Sequence, residues 1–357
     1  MEQQFVSIRD AETFLGELFS ALGMERDNVR TMQQVLIQTT MYNRGHHDIS
    51  FVPMLVKLLR SKQARANPDM KMLSSYQGIE RWDGDDGLGP VCCMRAMERA
   101  MELAKIHGIG ICAMRRTNHF LASAPYTELA AKSGYVGLIL AKGGVSMGVP
   151  GEKTLCMSAL PMGYAYQTQS DPVVFDACMA YASIGKLNQM VEKGQQVPSW
   201  WGVDKEGAPT TSPAELLQGI RYPIGGHKGF ALAMLGEVLT GVLSGGCILD
   251  QPQTEDGHVN WSSHTAIAIK ADALMGLDEF EARAASIGQR ACARAEHLHI
   301  PGQGLAAERR KIAECGSFVL KESLIQALND LAADVGVPPI RSIAGKEKSS
   351  CGIEGID

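Results

Sequence analysis

CMRAMERAMELAKIHGIGICAMRRTNHFLASAPYTELAAKSGYVGLIL, residues 93–140, is the stretch that decides the fold class. Residues 93–107 repeat apolar side chains at helical spacing, and Met94, Met97 and Met101 within that repeat read as core rather than as cofactor contacts. The helix is expected to stop at His107-Gly108, because glycine takes the left-handed conformation that closes a helix. Two short runs of strand composition follow, 109–114 and 135–140, with a helical stretch at 126–133 between them. This helix–strand–helix–strand alternation specifies an α/β domain.

Working outward, residues 8–62 read as helices. Val6-Ser7-Ile8-Arg9-Asp10 caps a first helix bearing Phe14, Leu15, Leu18, Phe19 and Leu22. A second is expected from Arg26 to Met41, and a third near Phe51-Val52-Pro53. A polar joint at 65–69 separates them from the α/β part. Residues 140–230, rich in glycine and proline, suggest strands and long loops, and helix returns at 229–243, 278–297 and 319–335. The expected organisation is a helical segment at 1–70, a central α/β domain at 71–300, a C-terminal segment at 301–342 that rejoins the first helices as one lobe, and a mobile tail at 343–357.

The 357 residues are 45% hydrophobic and 20% charged, ordinary for a globular protein. A net charge of -5 gives no electrostatic reason to expect nucleic acid or an anionic membrane as partner. The nine cysteines form no Cys-x-x-Cys pair, so neither a zinc knuckle nor a disulfide framework is expected, and reduced thiols in the cytoplasm are. The first residues are too polar for a signal peptide, and no apolar run approaches the roughly 20 residues that span a bilayer. Gly84-Asp-Asp-Gly87-Leu-Gly89 has the wrong spacing for a dinucleotide fingerprint and follows no convincing strand. Walker, Gly-x-Ser-x-Gly and His-Glu-x-x-His motifs are missing as well.

Four constellations remain. His46-His47-Asp48 follows a glycine between two helices, where an imidazole titrating near neutrality can pass a proton to a carbonyl oxygen; a plain surface loop is the competing account. Arg116-Thr-Asn-His119-Phe120 follows a strand-like run and gathers polar groups at its end, or else merely leads into the next helix. Pro172-Val-Val-Phe175-Asp176-Ala-Cys178 ends a buried strand in a carboxylate; helix capping accounts for Asp176 equally well, since 177–185 looks helical. Pro223-Ile-Gly-Gly-His227-Lys228-Gly229 sets glycines and a lysine before a helix, an arrangement suited to an anion. His297 and His299 lack an acidic companion, so no metal is expected.

Taken in order, these segments resemble the type-2 malate/L-lactate dehydrogenase family over residues 10–335. The stretches that carry the likeness are Ile79-Glu-Arg-Trp-Asp83, His107-Gly-Ile-Gly110, Asn118-His-Phe120 with Tyr126, and Pro172-Val-Val-Phe-Asp176. Trp201-Gly-Val-Asp-Lys-Glu-Gly207, Gly225-Gly-His-Lys-Gly229, Glu237-Val-Leu-Thr-Gly241 and Pro301-Gly302 continue it. The resemblance implies a non-Rossmann α/β fold: a central mixed-sheet cofactor domain, a helical lobe from both chain ends, and NAD or NADP held near a homodimer interface. By position it makes His47 the proton-transfer histidine, Asp176 the acid that orients it, and His119 a second active-site histidine. It places cofactor contacts at Val174, Phe175, Asp176, Ala177, His227, Lys228, Gly302, Gln303 and Gly304.

Several positions depart from the family pattern. A Ser-His-Gly triplet becomes His46-His47-Asp48, and the arginine expected four residues after the histidine is Phe51, which cannot grip a carboxylate. Gly-Thr-Asn-Pro becomes Ser158-Ala-Leu-Pro161, and an asparagine becomes Lys142. His46 and Lys142 are therefore the expected substrate contacts, Lys142 as the replacement positive charge. The activity implied is hydride transfer between a nicotinamide and C2 of a small 2-oxo or 2-hydroxy acid, other than plain malate or lactate. Reduction of a cyclic imino acid, and ligand binding by a catalytically impaired member, are the alternatives; a cofactor-independent hydrolase is disfavoured for want of a third ligand.

Overall fold

The structure is a computed structural model that describes residues 3–251, 262–295 and 297–344. The chain opens with β1 (Gln3–Ser7), α1 (Ile8–Ala21), α2 (Arg26–Met41) and α3 (Val52–Arg60). Next come β2 (Lys71–Tyr76), β3 (Ile79–Gly87), α4 (Gly89–His107), β4 (Ile109–Thr117), α5 (Ala124–Lys132), β5 (Tyr135–Lys142), β6 (Val145–Met147), β7 (Met157–Ser158), β8 (Met162–Tyr166) and β9 (Val173–Ala177). After them lie α6 (Ile184–Glu192), β10 (Gly202–Val203), α7 (Pro213–Gln218), β11 (Ile220–Arg221), α8 (His227–Glu237), β12 (Ser262–Lys270) and α9 (Leu277–Cys292). The last elements are α10 (Gln303–Cys315), β13 (Ser317–Lys321), α11 (Glu322–Val335) and β14 (Ile343–Ala344).

Two compact units result, one from the residues up to Pro68 and from Cys292 on, the other from Asp69–Ala291. The divisions fall at 68/69 and 291/292, against expected ones at 70/71 and 300/301.

In the first unit the Ser7 hydroxyl caps α1 by accepting from the Asp10 N–H at 2.9 Å. Phe14, Leu15, Leu18 and Phe19 of α1 are buried together with Met32, Val35 and Leu36 of α2. The strand β1 was not foreseen; it pairs antiparallel with both β13 and β14. The first three residues of the helix expected at 319–335 fall differently too, since 319–321 belong to β13. Ile343–Ala344 correct the expected tail at one end, being paired with β1 through Gln4 and Phe5; residues 345–357 lie outside those described.

The second unit is built on a seven-stranded mixed sheet in the order β2-β3-β4-β12-β5-β8-β9, in which β3 and β4 run parallel and the other pairs antiparallel. Helix α4 connects β3 to β4, starts with Pro90 in its first turn and ends at Gly108 in the left-handed conformation (φ 80°). It lies so close to the sheet that a side chain at Gly110 would stand 2.0 Å from the Ala100 carbonyl oxygen. Met94 and Met97 are buried in that contact, as their spacing predicts. A smaller apolar cluster beyond the sheet joins Ala182, Leu187, Met190, Val197 and Leu216 of the α6–α7 region.

Two readings need correction. The helix expected at 177–185 is not formed: Asp176 and Ala177 lie inside β9, and α6 begins only at Ile184, capped by the Ser183 hydroxyl. The run Gly84–Gly89 does follow a strand, because the charged segment Ile79–Gly87 is β3; α4 starts at Gly89. Cys92, Cys93, Cys112, Cys156, Cys178, Cys247 and Cys292 carry free thiols, whereas Cys315 is disulfide-bonded, which the expectation of reduced thiols did not include. No described helix is long and apolar enough to cross a membrane.

Candidate active site

The candidate residues divide between the units: His46, His47, Gly302, Gln303 and Gly304 belong to the first, and His119, Lys142, residues 174–177, His227 and Lys228 to the second.

In the first unit, the chain leaving α2 passes through left-handed backbone at Asn43, Gly45 and His47 (φ 52°, 67° and 59°). For a residue with a β-carbon this region is uncommon, and such outliers gather at functional sites. Asp48 anchors the loop from below: it is buried and its Oδ1 accepts from the Ser50 N–H at 2.9 Å. Burial raises the Asp48 pKa, opposed by its hydrogen bonds to Ser50 and by the His46 charge. His46 Nδ1 lies 3.0 Å from the Arg44 carbonyl oxygen, which can only accept, so that nitrogen carries a hydrogen. The His47 ring meets the His46 ring edge-on at 4.9 Å and the Phe51 ring edge-on at 6.2 Å. The Asn43 amide donates to Glu308 of α10 at 3.2 Å, so this loop is tied to the helix whose first residues are Gln303 and Gly304. Gly302 precedes that helix in left-handed backbone (φ 92°), and a side chain at Gly304 would meet nothing within 4 Å.

In the second unit, β4 delivers Thr117, Asn118 and His119 beyond the sheet. His119 Nδ1 accepts the Leu121 N–H at 3.1 Å, so the neutral ring carries its hydrogen on Nε2. The residue keeps partial exposure, and desolvation of the rest holds its pKa down to about 4. At neutral pH the group is an uncharged hydrogen-bond donor. Asn118 donates to the carbonyl oxygens of Asp86 and Gly87, each at 3.1 Å, and fixes the segment to the end of β3.

Asp176 is half-buried on β9, the edge strand, opposite Gly163 of β8. A side chain at Gly163 would stand 2.0 Å from Ser123 Oγ, so glycine there lets the start of α5 settle onto β8 beside Asp176. Tyr126 of α5 links this strand to the histidine segment. Its hydroxyl donates to the Phe120 carbonyl oxygen at 2.5 Å, and burial pushes its pKa up, with smaller contributions from Cys93, Cys92 and Asp176. Phe175 stacks on Tyr164 at 5.2 Å. Beyond β9 the chain runs beside 222–224, with the Ile224 N–H on Met179 O at 2.8 Å and the Tyr181 N–H on Tyr222 O at 3.0 Å. The glycine turn before α8 therefore lies at the same sheet edge as Asp176.

That turn has the form of an anion cradle. Gly225 and Gly226 are both left-handed (φ 59° and 63°), a side chain at Gly226 would meet nothing within 4 Å, and exposed His227 and Lys228 begin α8. Lys142 is 1% exposed and its ammonium donates to the carbonyl oxygens of Leu249 at 2.8 Å and Gly143 at 3.3 Å. Burial lowers its pKa, while Glu237, Cys247 and Asp250 act to raise it.

His264 escaped the sequence reading. It lies in β12, 1% exposed, with Nδ1 2.6 Å from Thr117 Oγ1. Burial, with repulsion from His119, holds its pKa down to about 3. The period-two run Ser263-His-Thr-Ala-Ile-Ala-Ile was the signal for that strand.

The fold assembled here is similar to that of a malate dehydrogenase from Entamoeba histolytica, with a TM-score of 0.88 at 21% identity over 94% of this chain and 99% of the other. Residues 6–329 match the model of the malate/L-lactate dehydrogenase family, and the chain belongs to that family of oxidoreductases. It is similar to the L-sulfolactate dehydrogenase of Methanocaldococcus jannaschii, 27% identical over 90% of this chain and 94% of that one. It is also similar to the delta(1)-pyrroline-2-carboxylate/delta(1)-piperideine-2-carboxylate reductase of Pseudomonas putida, 25% identical over 91% and 96%.

Proposed function

We propose that this cytoplasmic enzyme transfers hydride between NAD or NADP and C2 of a small 2-oxo or 2-hydroxy acid. The family match over residues 6–329 carries this reading. The glycine turn at α8 fits a dinucleotide: Gly225 and Gly226 leave room for close backbone approach, the helix start favours an anion, and Lys228 adds a full charge. His227, residues 174–177 and Gly302, Gln303 and Gly304 complete the proposed cofactor contacts. When bound, the reduced nicotinamide supplies the hydride.

The chain's own groups handle the proton and the orientation. His47 is assigned the donation of the proton to the oxygen at C2, Asp176 the part of the orienting acid, and His46 a substrate contact. His119, neutral with its hydrogen on Nε2, donates a hydrogen bond to a substrate oxygen. Loss of a positioned general acid costs about 10²–10⁴-fold in rate. His47→Ala is therefore expected to lose kcat on that scale with dinucleotide affinity retained, and a variant within threefold of wild type would remove His47 from the mechanism. Suitable substrates to try are pyruvate, oxaloacetate, 3-sulfopyruvate, 2,3-diketo-L-gulonate and delta(1)-piperideine-2-carboxylate. The last tests the second reading, cyclic imine reduction, which the Pseudomonas putida relative and the aromatic Phe51 beside His47 favour.

We also infer a homodimer. Leu232, Leu235, Val238 and Val242 recur at intervals of three and four along α8 and the π-helical turn after it, and each is 48% to 53% exposed. A helix that is apolar on all sides belongs in a core or an interface, and a second copy covering this face supplies one.

A further inference from the structure

The end of β4 departs from regular pairing on both flanks. Toward β3, Asp83 pairs with Arg115 and Gly87 with Thr117, so Gly84, Asp85 and Asp86 bulge opposite Arg116 alone. Toward β12, Ser262 pairs with Thr117 and His264 with Met114, so the register slips there as well. Irregularities of this kind end pairing and re-aim side chains, often beside active sites. Asp85, Asp86 and Arg116 all adopt left-handed backbone (φ 49°, 54° and 52°).

Side chains fasten each flank. On the β3 side the Arg116 guanidinium bonds Asp86 and, at 3.2 Å, Asp83. On the β12 side Thr117 Oγ1 lies 3.1 Å from the Ser262 carbonyl oxygen and 2.6 Å from His264 Nδ1. A hydroxyl has one hydrogen. If Thr117 donates it to Ser262 O, its oxygen accepts from His264 Nδ1–H, and both contacts are satisfied at once. The His264 ring also packs on Phe120, with centroids 5.4 Å apart, and Phe120 in turn stacks on Tyr126. His119 thus sits between two residues, Thr117 and Phe120, that the same buried imidazole touches. Thr117 is fully buried and His264 is 1% exposed, so both act from behind the site.

We propose that His264 and Thr117 are positioning residues: the buried imidazole, holding the Thr117 hydroxyl on one side and the Phe120 ring on the other, fixes the segment from which His119 reaches its substrate. An aliphatic side chain would fill the same space without the cost of burying a polar ring; the bond to Thr117 is the feature it would lack. The inference rests on the reading of His119 as a hydrogen-bond donor to substrate.

The test compares His264→Leu and Thr117→Val, which break the tie, with His264→Asn and Thr117→Ser, which can keep it. Turnover is followed on the most active of the five substrates above, dinucleotide affinity by fluorescence titration, folding by circular dichroism, and the His119 ring by its imidazole proton resonance. Misplacing a reacting group by about 1 Å can cost about 10²-fold, so the first two variants should lose kcat on that order with dinucleotide Kd within twofold. The double variant His264→Leu/Thr117→Val should lose no more than either single one, because both cut the same tie. Asn and Ser should restore most of the rate and return the shifted His119 resonance to its wild-type position. A folded His264→Leu with kcat within threefold of wild type and an unmoved His119 resonance overturns the proposal, as do single losses that multiply in the double variant. His119→Ala separates the two readings: full activity there removes the role of His119 and leaves the resonance to decide the positioning, whereas a crippled His119→Ala beside an intact His264→Leu removes the positioning alone.

Discussion

Gly89, the first residue of α4, is a position where one methyl group should press directly on the histidine segment. A β-carbon there would lie 2.2 Å from the His119 carbonyl oxygen and 2.4 Å from both the Asn118 oxygen and the His119 carbonyl carbon. All three are backbone atoms, so no side-chain rotation relieves the clash. Non-bonded carbon contacts settle at about 3.5–4.0 Å, and the helix start and the histidine segment must part by about 1 Å or more. Overpacking of this kind costs about 1–3 kcal/mol, against a total stability of about 5–15 kcal/mol for a typical domain, so Gly89→Ala should remain folded. A displacement of about 1 Å in a positioned group costs about 10²-fold in rate. The assay is steady-state oxidation of NADH or NADPH, with circular dichroism and dinucleotide titration as controls. Gly276→Ala, where the new methyl meets nothing within 4 Å, should behave as wild type. A folded Gly89→Ala enzyme with activity within threefold of wild type would refute the placement of His119 at the reacting centre.

Other outcomes follow from single contacts. His119 and His264 have folded pKa values of about 4 and about 3, against 6.5 when unfolded. Both are neutral above pH 6.5, where stability is full; as pH falls below 6.5 the unfolded chain takes up protons that the folded one refuses, and stability drops by about 1.4 kcal/mol per pH unit for each histidine. Denaturant titrations between pH 6 and 4.5 should therefore show a slope shallower by about that amount in His264→Asn than in wild type, and equal slopes would contradict the buried neutral ring. Tyr126→Phe removes the hydroxyl bond to Phe120 O and leaves that buried oxygen unpaired, a loss of about 1–3 kcal/mol readable as a lower Tm. Leu235→Glu, on the apolar face of α8, should give a monomer in sedimentation equilibrium where the proposed pairing predicts a dimer for the wild type. Lys142→Ala distinguishes two duties of that lysine: a lowered Tm with unchanged KM for the acid points to its carbonyl contacts, and a raised KM with unchanged Tm points to the substrate.

What the sequence disclosed followed from the strength of local signals. Helix α2 ends where its pattern predicts, at Arg26 and Met41, because apolar spacing runs unbroken and no proline or glycine interrupts it. Gly108 was legible for the same reason, being the one residue type that closes α4 without strain. Strand β3 was hidden by its own charges: Glu80, Arg81, Asp83 and Asp86 give no apolar alternation, and their ion pairs to Arg99 and Arg116 form only once β4 and α4 are in place. Strand β1 is five residues long and finds its partners β13 and β14 more than three hundred residues along the chain. Asp176 looked like a cap because the residues after it suit a helix; the cross-strand partner Gly163 decides for a strand. The histidine at 119 was legible from its place after a strand, whereas His264 was not, since its importance lies in a bond to Thr117, 147 residues away.

The most direct measurement is a pair of experiments on one preparation: calorimetric titration with NADH and NADPH, then their optical oxidation in the presence of the five acids. The account predicts that one dinucleotide binds and that at least one 2-oxo or cyclic imino acid is reduced with one equivalent of it consumed. A folded protein that binds neither dinucleotide and reduces none of the five contradicts it.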